Sequence, residues 1–186
     1  MNLFRFLTEL EDDSNLHTAR LLVLMREFAG KNQTGKINGL TKLVKLDFLL
    51  RYPVYLERAL QKKGVTKEDV ATSEYERKSV ESKMIRFHYG PWDPRYHAFI
   101  NLLVGRGLCE LNVNGRTIFI GLTEKGYETA SKLSQTEEFA TFANRARILK
   151  AHFDIGGSNL KTFIYETFPE IVSLKLGEVI EYEDEV

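Results

Sequence analysis

The stretch from Lys36 to Leu60, KINGLTKLVKLDFLLRYPVYLERAL, constrains the fold more than any other part of the chain. Leu40, Leu43, Val44, Leu46, Phe48 and Leu50 fall round most of the circumference of a helix running from about Gly39 to Arg51. A helix that is apolar on nearly all sides has to be enclosed by other elements. Its polar strip holds Lys42 and Lys45, and elsewhere on the helix Asp47 and Arg51 are spaced for an i,i+4 pair. Pro53 ends this helix, because the residue before a proline is pushed out of the α region. A second helix restarts from Pro53 to Lys63 and stops at Gly64. The expectation is a small helical core with this segment at its centre. The 186 residues, twelve of them Phe, suffice for one domain, or a domain plus an appendage.

Upstream, Leu3, Phe4, Phe6 and Leu7 precede the acidic run Glu9, Glu11, Asp12 and Asp13, which together read as a docking arm over residues 1–14. Ser14 or Asn15 is suited to cap the next helix, whose Leu21, Leu24, Met25 and Phe28 form one core-facing stripe. Gly30 suits its C-terminal turn. Gly30 to Lys36 matches the G-x-x-x-x-G-K spacing of a phosphate-binding loop, but Ile37 stands where a magnesium-holding Ser or Thr is needed. An amphipathic helix also precedes it where such a loop follows a buried strand. The residues read instead as a polar helix-to-helix loop.

Downstream, residues 65–83 are rich in Lys, Glu, Ser and Thr. They suggest either a short exposed helix near Lys67–Ser73 or a mobile insertion. The stretch Arg86-Phe87-His88-Tyr89-Gly90-Pro91-Trp92-Asp93-Pro94-Arg95-Tyr96 is the most unusual in the chain. Gly-Pro makes a turn, Asp93 suits an N-cap, and Pro94 suits the first helical position. Tyr96, Phe99, Ile100 and Leu103 then stripe a helix ending at Gly105 or Gly107. Trp92 can pack that helix start or meet a partner. Two apolar runs flanking Asn114-Gly115 predict a β-hairpin with Arg116 at its tip. Thr123 is placed to cap a helix through Leu133, Glu137 to Phe153 reads as another, and Ser158 is placed to cap a last one bearing Leu160, Phe163, Ile164 and Phe168. Glu178 to Val186 is acidic and reads as loose.

Charge is balanced overall, with 26 Lys and Arg against 26 Asp and Glu, but unevenly placed. Residues 31–120 hold sixteen basic against nine acidic side chains, and both flanks are acidic. A basic middle marks either an anionic-ligand face or a mixed solvated surface. Cys109 is the single cysteine, so no intrachain disulfide forms, and its apolar neighbours suggest an inert buried thiol. His17, His88, His97 and His152 lack metal-ligand spacing, and no nucleophile–base pair stands out, so neither cofactor nor metal is expected. No segment approaches the roughly 20 apolar residues of a membrane span, and the N-terminus lacks a signal-peptide pattern; the expected location is the cytoplasm.

Helices, then a helix entered through Asp-Pro, then a hairpin, then a helix, is the element order of a winged helix. The expected fold is therefore mainly α with a β-hairpin wing. A winged-helix domain spans 15–135 with a charged insertion near 64–84, and C-terminal helices and an acidic tail extend over 136–186. The run Ile120-Gly121-Leu122-Thr123-Glu124-Lys125-Gly126 resembles the wing exit of many winged-helix proteins. INGLTKLVKLDFLLRYPVYLERAL, followed by SKMIRFHYGPWDPRYHAFINLLVGRGL, resembles the middle components of bacterial ABC-three component systems, a group overlapping the accessory subunit of Lamassu-type anti-phage and anti-plasmid defence.

That resemblance implies a non-enzymatic subunit joining an SMC-like ABC ATPase to an effector such as a nuclease. Docking would then fall to Leu3, Phe4, Phe6, Leu7, Trp92, Phe163 and Phe168. The alternative is an autonomous winged-helix regulator or antitoxin. It would read a groove with Arg95, His97 and Asn101, use Arg116 at the wing, and contact phosphates through Lys42 and Lys45. Near-zero net charge favours assembly over free DNA binding, while the basic middle leaves contact with double-stranded DNA inside a complex open.

Overall fold

A computed structural model of the chain describes residues 14–78 and 83–181. The expected arm residues Leu3, Phe4, Phe6 and Leu7 lie outside the described residues, and Ser14 already belongs to the first helix. Helix α1 (Ser14–Ala29) leads to the short strand β1 (Ile37–Asn38), helix α2 (Leu40–Arg51) and helix α3 (Pro53–Lys62). A five-residue helix α4 (Glu74–Lys78) precedes a small hairpin of β2 (Ile85–Phe87) and β3 (Gly90–Trp92). Helix α5 (Tyr96–Gly105) follows, then a longer hairpin of β4 (Cys109–Asn114) and β5 (Thr117–Leu122). Four helices complete the described chain: α6 (Glu124–Leu133), α7 (Glu137–Phe153), α8 (Gly157–Thr167) and α9 (Pro169–Ser173).

The fold is mainly helical, with a three-stranded antiparallel sheet in the order β1-β5-β4 and the separate β2–β3 pair. Helix α2 is its centre, as its apolar circumference requires: every residue from Lys42 to Arg51 is buried. Asp47 and Arg51 are buried too, which an i,i+4 surface pair would not be. Leu24, Leu46 and Phe48 share one continuous core with Leu149, Phe153 and Ile164. The helices after residue 135 are therefore part of the domain's own core, not an extension attached to it. Phe168, expected to be free for docking, is fully buried, edge-on to Phe48 and Tyr55.

The sheet gains a strand that alternation could not reveal, because β1 is two residues long. Ile37 pairs with Ile120, and Asn38 pairs with Phe119. Gly39 then turns the chain into α2 at φ +96° and donates its N–H to the Ile118 carbonyl at 2.8 Å. The β4–β5 turn is Gly115-Arg116, one residue later than Asn-Gly suggested, since Asn114 still pairs with Thr117. Gly115 has φ +60°, which a two-residue turn of the II′ kind requires at its first position. Thr123 caps α6, accepting the Gly126 N–H at 3.0 Å. A Cβ on Gly126 would lie 1.8 Å from the Leu108 carbonyl oxygen, so only glycine permits this approach of helix and strand.

Several local expectations change. No helix forms over Lys67–Ser73; α4 starts at Glu74 because Ser73 and Glu76 form a reciprocal capping box at 3.0 and 3.2 Å. The preceding residues are not a loose insertion either. Val70 is buried, and the buried Arg145 of α7 donates to the carbonyls of Val70 and Ala71, both at 3.0 Å. Asp93 accepts the Arg95 N–H at 3.0 Å, making a turn ahead of α5 rather than capping it from one residue away. Gly156, not Ser158, occupies the N-cap of α8. Of the acidic segment expected to be loose, residues 178–181 are held down, and residues 182–186 lie outside the described residues. Ile180 is buried, its N–H reaches the Met84 carbonyl at 2.9 Å, and the Tyr52 and Tyr55 hydroxyls donate to the carbonyls of Ile180 and Glu181.

Candidate binding groove

Two sets of charged side chains meet around α2, and they differ in whether a carboxylate answers each cation. The first set is buried and paired. Arg20 of α1 grips Asp47 through Nε at 2.9 Å and Nη2 at 3.2 Å, and also donates to His17 Nδ1 at 3.1 Å. The Tyr96 hydroxyl of α5 donates to the second Asp47 oxygen. Arg51 lies 3.8 Å from Asp47 and 3.3 Å from Asp93, and Arg95 closes on Asp93 at 2.9 Å. Burial alone would raise the Asp47 carboxyl, but the Arg20 and Arg51 charges and the bonds from Arg20 and Tyr96 outweigh it and hold the group below its ordinary value. Asp93 is likewise brought down to about 2, the penalty of burial being overcome by hydrogen bonds from the Arg95 side chain and backbone and by the Arg51 charge. This network ties α1, α2 and α5 together.

The second set lies where α2 begins. Here the tip of the β4–β5 hairpin, the start of α8 and the β2–β3 hairpin surround two adjoining recesses with a shared wall of Thr41, Lys45 and Tyr89. The larger recess, about 510 Å³, is edged by Arg116, Ser158 and Lys161. The smaller, about 240 Å³, is walled by Phe87, Pro91 and Trp92, with His97 of α5 beside it. Trp92 stacks on Phe87 with ring centres 5.8 Å apart. The small hairpin turns at His88-Tyr89, not at Gly90-Pro91 as the sequence suggested, because Gly90 already pairs with Phe87. Gly90 leaves the turn at φ +115°, its backbone passing close to the Lys45 and Tyr165 side chains. Lys161 sits over the Tyr89 ring at 5.8 Å.

Lys45 is only 2 % exposed, and its ammonium donates to the Thr41 carbonyl at 3.1 Å. Among the described residues no carboxylate lines either recess. Burial, with a smaller contribution from the Lys161 charge, brings Lys45 down to about 8. Both helices that open onto the groove have a glycine N-cap, Gly39 for α2 and Gly156 for α8, with no side-chain cap and no acidic residue in the first turn. Their first N–H groups and the positive ends of their dipoles therefore add to the same field.

Four sequence candidates thus converge on one groove: Lys45, Trp92, His97 and Arg116. Others do not. Lys42 is buried and bonded to Asp154 at 2.8 Å, and Arg95 is folded onto Asp93. Asn101 is exposed on α5 and lines neither recess. Phe163 is half-buried against Phe153. Lys161 and Thr41 escaped notice in the sequence. The available signal was a lysine within the first turns of a helix lacking acidic residues there, which opposes the helix dipole unless an anion compensates.

Cys109 is buried, which pushes its thiol up to about 12 and leaves it unreactive as a nucleophile at neutral pH. Among the described residues no three His, Cys, Asp or Glu converge as a metal site, and no described helix is long and apolar enough to cross a membrane. Comparison of the chain with protein-family models, curated proteins and solved structures gives no match.

Proposed function

We propose that this chain is a winged-helix accessory subunit without catalytic activity of its own, the middle component of an ABC-three component defence system of the Lamassu type. In that role it joins an SMC-like ABC ATPase to a nuclease-type effector. The observation that supports it is the order α1–β1–α2, then α5–β4–β5 after an insertion of α3, α4 and the β2–β3 hairpin, in which β1 pairs with β5 to complete a three-stranded sheet. A winged helix needs that order and that pairing, with α5 in the recognition position and β4–β5 as the wing.

Assembly is favoured over autonomous DNA recognition by the charge pairing. Duplex binding rests on cations free to replace counterions at phosphates. Of the four basic candidates, Lys42 and Arg95 are instead neutralised by Asp154 and Asp93, and Lys45 is buried in the groove wall, which leaves Arg116 alone at the hairpin tip. The outer wing exposes Leu111, Val113 and Ile118 on one face of the hairpin, with Val113 72 % exposed. Such a face suits coverage by protein.

The test is co-expression with the ABC ATPase and effector of such a system, followed by affinity capture. Stoichiometric co-purification that Val113→Glu with Ile118→Glu abolishes is the expected result. The isolated protein should bind duplex DNA weakly at physiological salt. Submicromolar duplex binding with a steep salt slope, and no co-purification, would establish the regulator reading instead.

A further inference from the structure

We infer that the groove beside α2 is a mononucleotide-binding site, with the phosphate held among Lys45, Lys161 and Arg116 and the base in the recess beside Trp92. Three observations meet there. The first is charge without a counter-charge. Lys45 is nearly inaccessible, has three N–H donors, and finds among the described residues one backbone carbonyl and no carboxylate. A buried ammonium left in that state is costly unless an anion completes it. Lys161 and Arg116 on the rim bring the same sign to the same space.

The second is the pair of helix starts. Glycine N-caps without side chains leave the first N–H groups of α2 and α8 open, and residues 39–41 and 157–158 line the larger recess. Free backbone donors at a helix N-terminus are suited to phosphate oxygens. The Thr41 and Ser158 hydroxyls offer further donors beside them.

The third is the adjoining recess, which tells a nucleotide from a bare anion. It shares Lys45 with the cationic half, and its walls are the rings of Phe87 and Trp92 and the Pro91 edge. A flat ring entering about 240 Å³ of apolar space meets the aromatic side chains that line it, and stacking on such side chains accepts any base. An acidic peptide side chain would satisfy the cations but leave this recess empty.

Trp92 is the only tryptophan in the chain, so its fluorescence reports on the recess directly. The full chain is titrated with AMP, UMP, adenosine and orthophosphate at physiological salt. AMP and UMP should quench Trp92 saturably, adenosine should bind at least about tenfold more weakly, and orthophosphate should displace AMP without quenching by itself. Lys161→Met should weaken AMP about tenfold, and Lys45→Met should weaken it further while melting no lower than the parent, so that lost binding is not lost folding. Three results would overturn the site: no saturable response to millimolar AMP and UMP, equal affinity for adenosine and AMP, or undiminished AMP binding in both variants.

Discussion

Lys45 and Asp47 lie two residues apart on α2, both at 2 % exposure or less, yet their surroundings are opposite. Asp47 accepts from Arg20 and Tyr96 and faces Arg51 across 3.8 Å. Lys45 faces Lys161 and Arg116 across an open groove, with a backbone carbonyl in place of a counter-ion. Burying a charge is tolerable when hydrogen bonds and an opposite charge come with it. The paired region meets that condition inside the fold and so belongs to its stability. The groove does not meet it, and a binding partner would have to.

The sharpest way to break this comparison is to remove the carboxylate. Asp47→Ala leaves Arg20 and Arg51 buried without their shared partner, and should cost about 3–5 kcal/mol by urea unfolding. A loss under about 1 kcal/mol would mean that the three-helix tie is replaceable and that the contrast with Lys45 is only geometric.

The mirror experiment removes the unanswered cation. With a folded value near 8 against 10.5, Lys45 penalises the native state below pH 8, and the penalty lifts as pH rises through 8 towards 10.5. Lys45→Met, which keeps the stem, should therefore raise stability at pH 7 by up to roughly 3 kcal/mol, with the gain shrinking over that window. The titratable groups that line the two recesses with Lys45 are Lys161, Arg116, His97 and Tyr89, with no carboxylate among the described residues. Cys109 works in the other direction above its ordinary value near 9, because its folded thiol stays protonated to about 12. Its contribution is common to both proteins, so the difference between their pH–stability curves isolates Lys45. A flat difference curve would show the ammonium solvated.

How much of this was legible beforehand depended on whether a signal was local. The burial of α2 could be read from its own apolar residues, and the β4–β5 hairpin from Asn114-Gly115 between two apolar runs. Strand β1 could not, since two residues hold no period and only Ile120 and Phe119 define it. Segment 65–73 looked mobile because its anchor, Arg145, sits about 75 positions away and reads in sequence as a surface charge. The acidic tail hid Ile180 in the same way. Of the groove, Lys45, Trp92, His97 and Arg116 each drew notice alone. What joins them is Lys161 on α8, brought close only by the fold.

Acid probes the paired region from another side. Asp93 titrates near 2 in the native state against an ordinary value near 3.8, so its contribution is complete above about pH 4 and is lost as pH falls through 2. That amounts to about 2 kcal/mol, and Asp47, also held low, should lose its contribution in the acid range too. Arg51→Met should shift the acid-unfolding midpoint upward, because it removes a charge facing both carboxylates. An unchanged midpoint would place the origin of acid unfolding elsewhere.

The smallest effect is expected at the network's outer end, and it bears on both regions. The Arg95 side chain is 36 % exposed, and its guanidinium lies over Phe99 as well as on Asp93. Exposed pairs contribute little, so Arg95→Ala should cost no more than about 1 kcal/mol in stability. Its other readout is DNA. If Arg95 is tied to Asp93 in solution, the substitution should leave duplex affinity and its salt slope unchanged, whereas a phosphate-contacting arginine would lower that slope by about one. An altered slope would release Arg95 from the paired region and return α5 to the role of a DNA-reading helix.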